Sequence, residues 1–252
     1  VKKIVLSIYP GPIPQMRKNM EAVRRAMELQ SDTSTLKESA KILGVHLEGP
    51  FLNRRRPGAL NKRFFLDPDE RFFEELVEGF EDIVRVVTIA PELEGGPKLI
   101  RKMNKMGILV SMAHSEATYS EAEAGYRSGA RSITHIFNAM RAIHHRELGL
   151  AGFGLLNRDV YVEVIGDLKH LDMRTLELIF RLKNKDRIIL ISDSHRDTMR
   201  EIKGKKKESK LKGGELPLSL AAKKLLEAGF DKNLIIEAVA ENPRRLLSDI
   251  TS

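Results

Sequence analysis

Short apolar runs alternate with stretches of helical periodicity along most of the chain. The runs that read as strands are Lys3–Ser7, Ile42–Glu48, Ile83–Ala90, Ile108–Ala113, Ser132–His135, Tyr161–Gly166 and Arg187–Asp193. Between them, apolar residues recur at helical spacing in Pro14–Leu29, Pro68–Phe80, Gly96–Met106, Ser120–Gly129 and Asp172–Asn184. Two more helices are expected at about Leu218–Ala228 and Asp231–Glu241. Asp67-Pro68 reads as a helix start, and Asp231 and Asn242-Pro243 as the bounds of the last helix. Repeated strand–helix units imply parallel strands joined by right-handed crossovers. Seven such strands approach a TIM-like (β/α)8 barrel. A doubly wound sheet is the rival, but no strand is followed by a glycine-rich dinucleotide fingerprint. No linker divides the chain, so residues 1–252 are expected to form one barrel domain.

In a parallel barrel, functional groups sit at the C-terminal ends of the strands. Those ends carry His46 and Glu48 in VHLEGP, Glu92 in TIAPE, His114 in VSMAHS, His135 and Asn138 in ITHIFN, Asp167 and His170 in VIGDLKH, and Asp193 in ILISDS. Each alone has a plain structural reading, such as a hydrogen-bonded histidine or a helix-capping aspartate. Together they are harder to dismiss, because four of the seven histidines fall at or just beyond strand ends. Neutral imidazoles plus a carboxylate suit zinc or another divalent transition metal. Three protein ligands leave a position for water, whose pKa the metal lowers. Glu48, His114 and His135 are the best ligand set. Asp193, on the last strand, is the best proton acceptor and donor. His46 shares a strand face with Glu48 and is expected to support the ligands without being one.

Composition narrows the picture. With 252 residues, 42% of them hydrophobic, there is ample material for a core. No apolar run has transmembrane length and no signal peptide is evident, so no membrane role is expected. The absence of cysteine excludes disulfides and thiolate metal sites, and points to the cytoplasm. The net charge of +8 is concentrated in Arg54–Arg56 and Lys203–Lys212, both read as solvated loops. No nucleic-acid-binding motif accompanies it.

The motifs VHLEGPFLN, TIAPE, AHSEAT, THIFNAM with HHRELGLAG, and ISDS resemble, in this order, the N-acetylglucosamine-6-phosphate deacetylases of the amidohydrolase superfamily. The resemblance implies metal-dependent hydrolysis of N-acetylglucosamine 6-phosphate. One zinc is the expected ion, with iron or another transition metal as alternatives, held by Glu48, His114 and His135. Asp193 becomes general base and then acid, and His170 polarises the acetamide carbonyl. Asn138 and Ala139 contact the sugar phosphate, and Arg146 resembles the arginine that reaches the neighbouring site in a homodimer.

The chain departs from the family pattern at four points. It lacks the His-x-His pair of the first barrel strand, and it lacks the small β-sandwich built from both chain ends. The domain is therefore expected to be incomplete at both ends. Leu60 follows Gly58-Ala59 where the family has a substrate-contacting histidine. The D-G-x-H motif reads Asp167-Leu168-Lys169-His170. These departures keep two alternatives open: an amidohydrolase acting on another N-acyl or cyclic amide, or a non-catalytic sugar-phosphate-binding relative.

Overall fold

Seven strands form one parallel sheet in chain order: β1 (Lys3–Ile8), β2 (Lys41–Glu48), β3 (Val84–Ile89), β4 (Leu109–Met112), β5 (Ser132–Ile133), β6 (Tyr161–Ile165) and β7 (Ile188–Ile191). They come from a computed structural model that describes residues 1–32, 39–195 and 213–248. The basic stretch Lys203–Lys212 lies outside the described residues. Helices cover the outer face: α1 (Ile13–Asp32), α2 (Glu70–Val77), α3 (Gly96–Lys105), α4 (Tyr119–Arg127), α5 (Gly149–Leu156), α6 (Met173–Leu182), α7 (Leu218–Glu227), α8 (Lys232–Ile236) and α9 (Asn242–Ser248).

The sheet curls into a half-barrel. Strands β2 and β5 are three steps apart, which in a flat sheet is about 14 Å. Yet Glu48 at the end of β2 touches His135, two residues past β5, at 3.0 Å. Among the described residues β1 and β7 remain unpaired edges, so the ring is not closed.

Strand alternation divides the residues between the two faces. Val45, Leu47, Val87, Ile89, Val110, Val162, Val164 and Leu190 are buried in the main core between sheet and helices. The concave face is layered. Val86, Leu109, Tyr161 and Ile189, with Leu246 of α9, form an apolar floor near the strand starts. Above it runs a hydroxyl belt: His46 joins Ser7 (3.1 Å) and Thr88 (2.7 Å), Thr88 joins Thr134 (2.9 Å), and Thr134 joins Ser111 (2.6 Å). The ionisable groups stand at the rim.

Two expected boundaries are corrected. The N-cap of α2 is Asp69, whose carboxylate accepts from the amides of Arg71 and Phe72, so the helix begins beyond Asp67-Pro68. At the other end, Asp231 does cap α8, but Asn242-Pro243 does not stop the helical run. A π turn over Glu237–Glu241 carries the chain into α9. The wider turn accommodates a proline that cannot donate to an ordinary helical bond. Asn242 is fully buried and donates to the carbonyls of Lys185 and Ile188, both 2.8 Å, tying the run to β7.

Helix α5, GLAGFGLL, has no counterpart in the periodicity reading. Seven of its eight residues are buried, so no polar face marks it. A Cβ on Gly154 would lie 2.7 Å from Ile133 Cδ1, so glycine lets this helix sit against the sheet.

Candidate metal centre

Glu48 owes its direction to Gly44. The β1–β2 ladder pairs Ile4 with Ile42 and then Val5 with Gly44, leaving Leu43 as the extra residue of a bulge. Beyond it, Gly44 and His46 stand beside Val5 and Ser7 on the concave face, and Glu48 follows on the same face. Gly44 has φ +147°, and a Cβ there would come within 2.3 Å of the Ile83 carbonyl oxygen. No other residue can occupy the bulge without moving β3.

His114 and His135 follow β4 and β5, and both have left-handed backbones, φ +46° and +36°. Asp193, after β7, has φ +44°. Non-glycine residues in this region carry strain that surrounding structure must hold, a pattern concentrated at functional sites. The twist turns the His114 and His135 side chains off the strand ends towards one another.

Nε2 of His114 and Nε2 of His135 each lie 3.0 Å from the same Oε1 of Glu48. The rings meet edge to face at 80°. Glu48, His114 and His135 are 5%, 3% and 5% exposed. Burial alone would raise the Glu48 pKa, but hydrogen bonds to both imidazoles and their charge hold it well below the ordinary carboxylate range. Burial alone would lower that of His135. The hydrogen bond to Glu48, and the charges of Glu48 and Asp193, outweigh burial and push it up to about 9.

These three side chains fit a divalent ion. Their ligand atoms all lie within 4.8 Å of one another, and bonds of about 2.0–2.2 Å bring donors on one ion to similar spacings. His114 Nδ1–H donates to the Arg56 carbonyl at 2.8 Å, which leaves Nε2 facing the cluster. His135 Nδ1, by contrast, is buried without a hydrogen-bond partner among the described residues.

The remaining expected residues spread around this centre. Burial raises the Asp193 carboxyl to about 6, opposed by His135 and reinforced by the charge of Glu48. It stands within electrostatic reach of the three ligands but outside their cluster. His170 Nδ1–H donates to Asp167 Oδ2 at 2.8 Å. The other oxygen of Asp167 accepts the amides of Lys169 and His170, both 2.9 Å, and Oδ2 also accepts that of Glu215 at 3.0 Å. Burial would raise the Asp167 pKa, but these bonds hold it far below the ordinary range. Leu168, in the place of the motif's glycine, has φ +63°, the conformation that favours glycine there.

Asn138 donates to the His135 and Ile136 carbonyls at 3.2 and 3.3 Å, while Ala139 (φ +52°) accepts the Ser115 amide through its carbonyl. Arg146 is exposed and contacts the His145 ring at 3.1 Å. His46 does not touch the ligands. It sits in the hydroxyl belt below them, and burial lowers its pKa to about 4. Glu92 stands apart from the cluster. Its carboxylate accepts from Asn53, Ser115 and the Glu116 amide, lacing together the loops after β2 and β4.

Three features escaped the sequence reading. The Arg56 carbonyl carries no sequence signal, since any residue has one. Glu163, on the concave face of β6, is lifted to about 7 by burial, with His135 opposing. It reads in sequence as one charge within YVEVI. The belt residues Thr88 and Ser111 were visible as lone hydroxyls within apolar strands.

No protein-family profile matches the chain. An N-acetylglucosamine-6-phosphate deacetylase of Lysinibacillus sphaericus is 32% identical over 173 residues, 69% of this chain and 45% of the relative. An N-acetylgalactosamine-6-phosphate deacetylase of Escherichia coli is 33% identical over 155 residues, 62% of this chain and 41% of the relative. The chain thus spans less than half the length of these curated relatives. Among solved structures, a variant N-acetyl-D-glucosamine-6-phosphate deacetylase of Mycobacterium smegmatis, in complex with N-acetyl-D-glucosamine-6-phosphate, superposes with a TM-score of 0.86. It is 25% identical, and the match covers 98% of this chain and 68% of that one.

Proposed function

The chain belongs to the N-acetylglucosamine-6-phosphate deacetylase family, and from that premise we propose that it hydrolyses the acetamide of a phosphorylated amino sugar, N-acetylglucosamine 6-phosphate first, to acetate and the free amine. The observation that carries this reading is the convergence of Glu48, His114 and His135 from three strand ends onto one point. A divalent ion held there, zinc by the His/His/Glu donor set, supplies a Lewis acid for the acyl oxygen and a lowered pKa for water.

The chain's own residues do the rest. Asp193, raised to about 6, is poised to take a proton from the attacking water and return it to the departing amine nitrogen as the C–N bond breaks. His170, its ring fixed through Nδ1 by Asp167, presents Nε2 to the acyl oxygen. His46 and the hydroxyl belt hold the strands that carry the ligands. Asn138 and the Ala139 backbone line the sugar-phosphate side. The exposed Arg146 is free to reach a second copy's site in a homodimer. Cysteine-free composition supports a cytoplasmic setting, and no helix among the described residues is long and apolar enough to cross a membrane.

The test is acetate release from N-acetylglucosamine 6-phosphate by the purified chain, with and without added zinc. No metal-dependent release sinks the reading. Leu60 favours a second reading, a different sugar epimer or N-acyl substrate, and the Escherichia coli relative carries the galactosamine name. Assaying both epimers side by side separates the two.

A further inference from the structure

The two histidines of the metal centre are unequally supported. Both are buried, and each Nε2 lies 3.0 Å from Oε1 of Glu48. His114 Nδ1 meets the Arg56 carbonyl at 2.8 Å, whereas His135 Nδ1 is buried with no hydrogen-bond partner among the described residues. A neutral imidazole that gives Nε2 to a metal carries its proton on Nδ1, and that N–H needs an acceptor. For His135 the acceptor has to come from what stands beside it.

The β5–β6 ladder shows what that is. Ser132 pairs with Tyr161 and Ile133 with Val162, and the Tyr161 amide donates to the Arg131 carbonyl at 2.9 Å. In an even parallel ladder the His135 amide would next bond the Glu163 carbonyl. The Ile136 amide takes that place instead, at 2.8 Å. His135, with φ +36°, is therefore an extra residue looped out of the ladder beside Glu163. Tyr161 and Ile189 belong to the concave floor. Glu163 lies two residues beyond Tyr161 and pairs with Ile189, so its side chain faces the same interior.

The Glu163 carboxyl has no cation of its own: no lysine or arginine pairs with it among the described residues. Glu163 and His135 act on each other through charge. Burial lifts the carboxyl to about 7; His135 pulls the other way, Asp193 and Glu48 add to the rise, and the Ser132 hydroxyl favours the charged form. A buried carboxylate is costly without a donor, and a ring N–H from the adjacent strand would offset that cost. The rival acceptors are engaged or come from further off. Thr88, Thr134 and Ser111 bond one another in the belt. Asp193, which also acts on His135 through charge, follows β7, two strands away.

We propose that Glu163 positions His135: its carboxylate accepts the Nδ1–H of the ring whose Nε2 takes the metal, as the Arg56 carbonyl does for His114. The role rests on the metal-centre reading of Glu48, His114 and His135, but on no particular substrate. The plain alternative is a buried carboxyl that only fills the interior.

Zinc affinity of the full chain, measured by competition with a chelator, tests this without turnover. Glu163→Met fills similar space without an acceptor and is expected to weaken zinc binding about 10- to 100-fold, the usual effect of removing a ligand's support. Glu163→Gln keeps an acceptor oxygen and is expected to restore most of that affinity. If both variants shift Tm while zinc binds them as tightly as the wild type, Glu163 is structural and the proposal is overturned. A spectroscopic signature needs no methionine variant. In the zinc-loaded wild type with isotope-labelled histidine, His135 is expected to show a slowly exchanging, downfield Nδ1–H proton that moves upfield in Glu163→Gln. A resonance that Glu163→Gln leaves in place also overturns the role. Zinc that fails to bind the wild type removes the metal centre and this role with it, whereas zinc bound equally by all three proteins removes the role alone.

Discussion

Oε1 of Glu48 and Nε2 of His135 are 3.0 Å apart, although 87 residues separate them in sequence. The pair holds His135 up to about 9, so without metal the imidazole is protonated at neutral pH. A metal must displace that proton. Zinc uptake at pH 7 is expected to release about one proton from this site, read by calorimetry in buffers of different ionisation heat. Apparent affinity should rise with pH up to about 9. In the metal-free chain the sign is opposite. The charged pair stabilises fully below about 6.5, and this contribution is lost as pH rises through about 9. A metal affinity indifferent to pH between 6.5 and 9 would contradict this.

Removing a ligand should separate metal binding from folding. Glu48→Ala is expected to lose stoichiometric zinc binding and to abolish the rise in Tm on adding zinc to the wild type. Metal at a hundred times its Kd stabilises by about 2.7 kcal/mol. Equal Tm shifts in both proteins would place the metal elsewhere.

The bulge at Gly44 predicts a large effect from a single methyl group. Gly44→Ala puts a Cβ against the Ile83 carbonyl at a φ that side chains avoid. A loss of about 2–4 kcal/mol in urea unfolding is expected, with weakened metal binding because Glu48 follows the bulge. A change below 0.5 kcal/mol would show that β2 can pair without it.

Asp193→Asn is expected to keep metal binding and lower kcat by about 10²–10⁴, the usual worth of a positioned acid–base group. Since the base must be ionised, kcat/KM should fall on the acid side, with a midpoint at or below about pH 6 because a bound cation depresses the value. Wild-type turnover in the variant would remove Asp193 from the mechanism.

At Leu168 two effects oppose each other. A left-handed backbone costs a side chain about 1–2 kcal/mol, while Leu168 also packs against the main core. Leu168→Gly is therefore expected to change stability by less than about 1 kcal/mol. Leu176→Ala, fully buried in α6, should cost about 2–5 kcal/mol. Equal losses in urea melts would show that Leu168 bears no strain.

The seven strands were legible because their interiors are continuous apolar runs, as sheets covered by helices require. Only their ends shifted, by one or two residues, where left-handed residues such as His135 and Asp193 break the ladder earlier than hydropathy suggests. Helix α5 was hidden because burial on every side erases periodicity. The π turn before Pro243 was hidden because a proline ordinarily reads as a stop.

Residue chemistry, read along the chain alone, was enough to single out Glu48, His114 and His135 as candidates, since two histidines and a carboxylate at the ends of three strands are the donor set a divalent metal takes. It could not say that they meet. That depends on the curl of the sheet, which closes about 14 Å to 3 Å, and on the Gly44 bulge, which sets the phase of β2. A slip of one residue would have turned Glu48 into the helix layer and Leu47 into the site. His46 was assigned to the same face correctly, but only the fold shows that it belongs to the belt beneath the ligands.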